Sequence, residues 1–215
     1  MISNYEQMKW QMQVEFLKYN QEDMIKRFSL TASETYLLFD FMGGSCRIHR
    51  KSGLVETSYG YMDGFCEANY NEALTVYDLL CWSRPDAVSS GRFVNMQSIS
   101  PMQNGTSRLG ADFFRQEARL FDHQEESLRT SLEKLGGIAD ESGDVAARIP
   151  VFRGLNVLFR FWNSDDEFVS EIQFLWDERV LDFMHYETVW FANHVLVRRV
   201  KDIFDKTNIL REFVL

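Results

Sequence analysis

Eight carboxylates crowd residues 162–187: Asp165, Asp166, Glu167, Glu171, Asp177, Glu178, Asp182 and Glu187. One base, Arg179, stands among them, so the stretch carries a net charge of −7. Such a cluster has three readings. In the first, Asp165, Asp166, Glu167, Asp177, His185 and Glu187 supply oxygen and imidazole donors of the kind that hold Mg²⁺, Mn²⁺ or iron. No H-x-x-x-H or H-E-x-x-H spacing accompanies them. Glu187 and His194 are about 10 Å apart along a helix, so they share a face without reaching one ion. In the second, two carboxylates such as Asp166 and Asp177 work as general acid and base across a hairpin, which needs a cleft. In the third, Asn163-Ser164-Asp165-Asp166 is a turn, Glu171 and Glu178 are solvated, and His185 sits at a strand-to-helix junction. Glu167 fits the third reading least well, being placed between that turn and the apolar pair Phe168-Val169.

Other chemistry lacks its motifs. The sequence holds no G-x-S-x-G elbow, no G-x-G-x-x-G and no phosphate-binding G-x-x-x-x-G-K. Cys46, Cys66 and Cys81 are widely spaced and form no C-x-x-C, which predicts small buried hydrophobes in a reducing compartment. The net charge is −9, and the longest basic cluster is Arg47, Arg50 and Lys51. Neither nucleic acid nor an anionic membrane surface is therefore expected as a partner. The N-terminal MISNYEQMKWQMQ lacks the apolar run of a signal peptide, and no stretch approaches 18 apolar residues, so a cytoplasmic protein is expected.

The elements that must position these residues follow from periodicity. Ser3 and Glu6 read as a capping box, and Tyr5, Met8, Met12, Phe16 and Tyr19 as one helix face, within a helical segment spanning 1–30. Residues 35–58 read as a three-stranded meander turning at Gly43-Gly44 and at Lys51-Ser52-Gly53. Asn71 is placed to cap a helix running to Ser83, and RFVNM reads as a short strand. Residues 111–135 read as helical, broken at Asp122-His123-Gln124 and stopped by Gly136-Gly137. After Pro150, VLFRFW and EFVSEIQFLW pair across the acidic turn, with RVLDFM as a third strand. Val157, Phe159 and Phe161 share one face of the first of these strands. The last helix, from about Tyr186 to Phe204, is apolar apart from one polar stripe of Glu187, His194, Arg198, Lys201 and Asp205. Hairpins and helices in separated runs predict an α+β fold, one domain over 1–215 with antiparallel strands forming a sheet packed by helices.

The second half also carries a longer ordered pattern. Gly136-Gly137, Gly143-Asp144-Val145-Ala146, Ile149-Pro150-Val151 and then Leu158 to Phe168, with its W-N-S-D-D-E-F run, resemble a bacterial and archaeal family known only as a domain of unknown function, number 3786. The likeness is strongest over 136–190. It implies a shared fold and draws attention to Trp162, Asp165, Glu167, Phe168 and Asp177. Some similar proteins are joined to iron–sulfur domains like those of corrinoid-carrying proteins of anaerobes, a cluster for which this chain has no cysteine set. With no catalytic motif and a family of no established activity, a non-catalytic binding or accessory module is expected, and those similar proteins imply a link to metal- or corrinoid-dependent anaerobic metabolism. The alternative is a metal-dependent enzyme built on the acidic cluster. A protein partner or a second copy is the expected macromolecular contact, with aromatics such as Trp10 at the interface.

Overall fold

The structure, a computed structural model, describes residues 4–99 and 113–212. Helices α1 (Asn4–Phe16) and α2 (Gln21–Phe28) lead into β1 (Thr31–Ala32), β2 (Tyr36–Phe41), β3 (Gly44–His49), β4 (Val55–Tyr59) and β5 (Cys66–Glu67). These five strands form an antiparallel sheet in chain order, and α3 (Tyr70–Cys81) follows. A second sheet is ordered β6-β10-β9-β8-β7. Its strands are β6 (Phe93–Asn95), β7 (Ile138–Ala139), β8 (Val145–Phe152), β9 (Leu155–Trp162) and β10 (Glu171–Asp177). Helices α4 (Met96–Ile99), α5 (Arg115–Phe121) and α6 (Glu125–Lys134) lie between β6 and β7, and α7 (Tyr186–Glu212) ends the described chain. The class is α+β, with two separate sheets rather than one.

The meander turns one residue earlier than the glycine pair suggests. Phe41 pairs with Gly44, which leaves Met42 and Gly43 as a two-residue loop with φ of 47° and 70°. Two positive φ values define the turn whose twist matches paired strands. Gly43 is required there twice over, since a Cβ would overlap the carbonyl of Leu135. Met42 has no such freedom and is held in place. Its N–H donates to the Val151 carbonyl of β8 at 3.0 Å, and its own carbonyl accepts from Arg199.

Three further boundaries move for local reasons. Asn69, not Asn71, caps α3. It has extended backbone geometry and forms a reciprocal capping box with Glu72. The segment Arg179–Met184 is not a strand: the Asp177 carboxylate takes the Arg179 N–H at 2.9 Å and turns the chain into a 3₁₀ turn at Val180–Asp182. Strand β10 begins only at Glu171, because Asp165 holds residues 165–168 in a turn. The break at Asp122-His123-Gln124 and the helix stop at Gly136, whose φ is 69°, appear where expected.

The expected inward face of α1 is only partly inward. Phe16 is buried and Met12 packs on the core, but Tyr5 and Met8 are exposed and Tyr19 lies beyond the helix end. Ser3 lies outside the described residues. Lys9 is buried instead, its ammonium donating to Glu67 at 2.6 Å and to the Ala68 carbonyl at 2.8 Å. One hydrophobic cluster runs through both sheets, from Leu37, Phe41 and Ile48 to Phe159, Phe161 and Trp176.

α7 packs along α3 and α6, burying Val189, Ala192, Leu196, Val200 and Phe204. Burial of side chains of this size contributes about 1.5–3 kcal/mol for each large one. Within that apolar contact lies a charge. Arg199, 1% exposed, donates to Glu72 of α3 at 2.8 Å and to the carbonyls of Phe41 and Met42 at 2.7 and 2.9 Å. Its guanidinium also lies over the Tyr59 ring at 4.4 Å. Arg199→Met should lower unfolding stability by about 3–5 kcal/mol, because a buried carboxylate and two carbonyls lose their donor. Urea denaturation measures this, and a loss below about 1 kcal/mol would contradict it.

Candidate functional site

The turn between β9 and β10 is tied down by its own polar residues. Asn163 donates its N–H to Asp144 at 2.8 Å and its side-chain amide to Glu125 at 2.6 Å, and its oxygen accepts the His123 N–H at 2.7 Å. Ser164 gives both its N–H and its hydroxyl to Asp122, at 2.8 and 2.6 Å. Asp165 accepts the N–H groups of Glu167 and Phe168, at 2.8 and 2.7 Å, and these hold its carboxyl below the ordinary value. Trp162 packs on Gly143, where a side chain would collide with the Phe161 carbonyl. The W-N-S-D run thus fastens the hairpin to the α5–α6 break, while Asp166, Glu167 and Phe168 are exposed.

Asp177 stands at the opposite end of β10, about 20 Å from this turn at the usual rise per residue. It is fully buried and accepts from the Ser89 hydroxyl at 2.6 Å and from the N–H groups of Gly91, Arg179 and Ser90 at 2.7, 2.9 and 3.1 Å. Burial alone pushes its carboxyl up. Those donors outweigh burial, and the group ends below the ordinary carboxylate value. Asp177 therefore anchors the 89–91 loop to the end of β10.

His185 lies beyond the same end, at the start of α7. Its Nδ1 is 2.6 Å from Asp78 Oδ1, and its N–H donates to Asp78 Oδ2 at 2.7 Å. The Trp82 ring lies 3.9 Å from the imidazole, centre to centre. Asp78 thus caps the long helix from a neighbouring helix, and no sequence pattern near His185 names it. The signal in hindsight is an acid set among Val76, Tyr77, Leu79 and Leu80. Glu187 is exposed on the first turn of α7. The sequence-predicted donors are thus spread over both ends of β10, and among the described residues no group of three His, Cys, Asp or Glu side chains could hold a metal ion.

The cysteines divide. Cys46 is buried, Cys81 is half-buried with its thiol pushed up to about 12 by burial and then by Asp78, and Cys66 is exposed, contrary to expectation.

Two cavities can be traced among the described residues. One, about 200 Å³, lies beside the glycines of the family-like pattern and is lined by Gly137, Gly143, Asp140, Asp144, Glu133 and Arg129. Its polar groups are largely engaged: Arg129 donates to the Asp144 carbonyl, and Asp140 accepts from Ser142 at 2.8 Å. The other, about 270 Å³, opens between the start of α3 and the middle of α7 and is lined by Asn69, Tyr70, Asn71, His194, Val195 and Arg198. Here several groups are idle. Neither the Asn71 amide nor the His194 imidazole has a hydrogen-bond partner among the described residues. Both α7 residues belong to the polar stripe that the sequence shows, although nothing in the sequence pairs them with Asn69–Asn71.

The family model described as "Domain of unknown function (DUF3786)" matches residues 20–199. The chain belongs to that family. The match takes in both sheets, α3 and the α7 residues of the larger cavity, and leaves α1 outside it. Neither the curated proteins nor the solved structures contain a match to the chain.

Asp177→Asn should cost about 1–3 kcal/mol near pH 7, since one oxygen acceptor must become a donor facing N–H and O–H donors. The wild-type carboxyl titrates below its unfolded value, so its contribution is complete above about pH 4 and disappears as pH falls through the folded value. The gap between wild type and variant should therefore narrow on acidification from pH 5 to pH 2. A constant offset in denaturant unfolding across that range would contradict the assignment.

Proposed function

We propose that this chain is a non-catalytic binding or accessory module whose ligand site is the cavity between α3 and α7. The observation that carries the reading is the set of unengaged polar side chains, Asn71 and His194, opening onto a cavity of about 270 Å³ together with Arg198. Polar groups that the fold leaves unpaired around a concavity are what fixes a small molecule's orientation. The walls are held by the fold rather than by flexible loops: Asn69 is locked by its capping box, and Val195 is buried in the α7 contact.

The accessory side of the proposal has its own support. Trp10 and Val14 of α1, with Leu17 just past the helix end, recur at steps of four and three and are 62%, 38% and 39% exposed, away from the buried Phe16. A protein partner or a second copy would meet the chain there. The one-domain reading is supported by the hydrophobic cluster that spans both sheets. The link to metal- or corrinoid-dependent metabolism and a cytoplasmic location rest on the sequence reading. No helix among the described residues is long and apolar enough to cross a membrane.

The test is a screen of neutral, cationic and anionic small molecules against isotopically labelled protein by amide chemical shift. The expected result is a set of binders whose shifts concentrate at residues 69–71 and 194–198, each recovered chemically unchanged. Binders that perturb only other surfaces, or that are converted, would overturn the reading.

A further inference from the structure

We infer that the ligand of the α3–α7 cavity carries a small oxyanion, a phosphoryl or carboxylate group, gripped by Arg198 and His194 with the Asn71 amide beside them. This deepens the proposed binding role and rests on it.

The charge inventory points one way. Among the described residues no carboxylate lines this cavity: its side chains are two amides, a tyrosine, a valine, an imidazole and a guanidinium. That is unusual on a chain of net charge −9. The acid paired with Arg198 is Asp202, and it is a weak competitor. Its Oδ2 is 3.8 Å from the Arg198 Nε and already accepts the Tyr59 hydroxyl at 2.7 Å. The neighbouring Glu72 is turned inward and spent on Arg199 and the Asn69 cap. Arg198 is thus a guanidinium with unused donors, suited to the paired oxygens of a carboxylate or phosphate.

The geometry agrees. His194 and Arg198 are four residues apart on one helix, so their side chains rise side by side, about 5–6 Å between Cβ atoms. One oxyanion can lie between them. His194 is set in place by ring contacts rather than by hydrogen bonds, its centroid 5.1 Å from Phe114 and 6.5 Å from Phe113. Tyr70 is fixed likewise: its hydroxyl donates to the Met8 sulfur, and its ring packs between Tyr5 and Phe191. An aromatic wall holds the polar groups without consuming them. The volume, about 270 Å³, exceeds a bare phosphate and leaves room for a small organic body.

The experiment is calorimetric titration with inorganic phosphate, with citrate and with glycerol as a neutral control, on wild type, Arg198→Gln, His194→Gln and Arg84→Gln. Arg84 is an exposed arginine far from the cavity in the chain, paired with Asp182. Phosphate or citrate should bind with one site per chain, and whichever binds more tightly names the oxyanion class. Arg198→Gln should weaken that binding about tenfold or more, as loss of a charge-assisted pair does. His194→Gln should weaken it less, and Arg84→Gln not at all. Unchanged melting temperatures would show that the variants fold, as expected for exposed side chains. No binding of either anion, or equal binding by wild type and Arg198→Gln, overturns the inference. If neutral compounds shift residues 69–71 and 194–198 while oxyanions do not, the oxyanion assignment fails and the binding site stands. If nothing reaches the cavity, both fail.

Discussion

The structure depends on one buried charge. Arg199 lies within the apolar contact between α7, α3 and the first sheet, and a charge in that position is tolerable only when every donor is used. Each of its three nitrogens is engaged: Glu72 takes two of its N–H groups, at 2.8 and 3.3 Å, and the Phe41 and Met42 carbonyls take another donor atom, Nη1. Each partner belongs to a different element. Glu72 fixes the start of α3 through its capping box and accepts the Thr57 hydroxyl of β4 at 3.3 Å. Met42 sits in a hairpin turn whose N–H reaches across to β8 of the second sheet. One side chain thereby sets the relation of α7 to α3, of α3 to the first sheet, and of the hairpin to the second. The cavity follows from that relation, since one wall is the first turn of α3 and the other is the α7 turn ending at Arg198, the residue before Arg199.

Two carboxylates of the acidic stretch that first suggests chemistry serve architecture. Asp165 closes a turn, and Asp177 gathers a loop. The aspartate that holds His185 comes from α3. In each case a carboxylate substitutes for water at backbone N–H groups that the fold would otherwise leave unpaired. The W-N-S-D run is a tether, and the family-like pattern marks the joint between a hairpin and a helix break.

Local patterns were legible in the sequence where local energies decide. The meander over 35–58, the break at Asp122-His123-Gln124, the stop at Gly136 and the inward face of β9 follow from turn chemistry and strand alternation, and they stand in the structure. Boundaries moved where a side chain only a few residues away caught the backbone, as Asp177 did at Arg179. The polar stripe of α7 was visible, but its meaning was not. His194 and Arg198 look like solvated charge until Asn69–Asn71 is brought opposite them, and that approach is set by Arg199 meeting Glu72 across 127 positions of sequence. Arg199 itself lies about 100° around the helix from Arg198, off the polar stripe. Periodicity flags it as a misplaced charge without naming its partner.

The central claim is that α3 and α7 are locked into one body by the buried pair. Native-state hydrogen exchange tests it most directly, by reading the opening free energy of each amide in α3, the middle of α7 and the β2–β3 hairpin. The account predicts that amides of α3 from Ala73 onward and of α7 from Val189 to Ile203 exchange through one shared opening, with the same free energy and the same denaturant dependence. Exchange of α3 through a separate, lower-energy opening while α7 stays protected would contradict it.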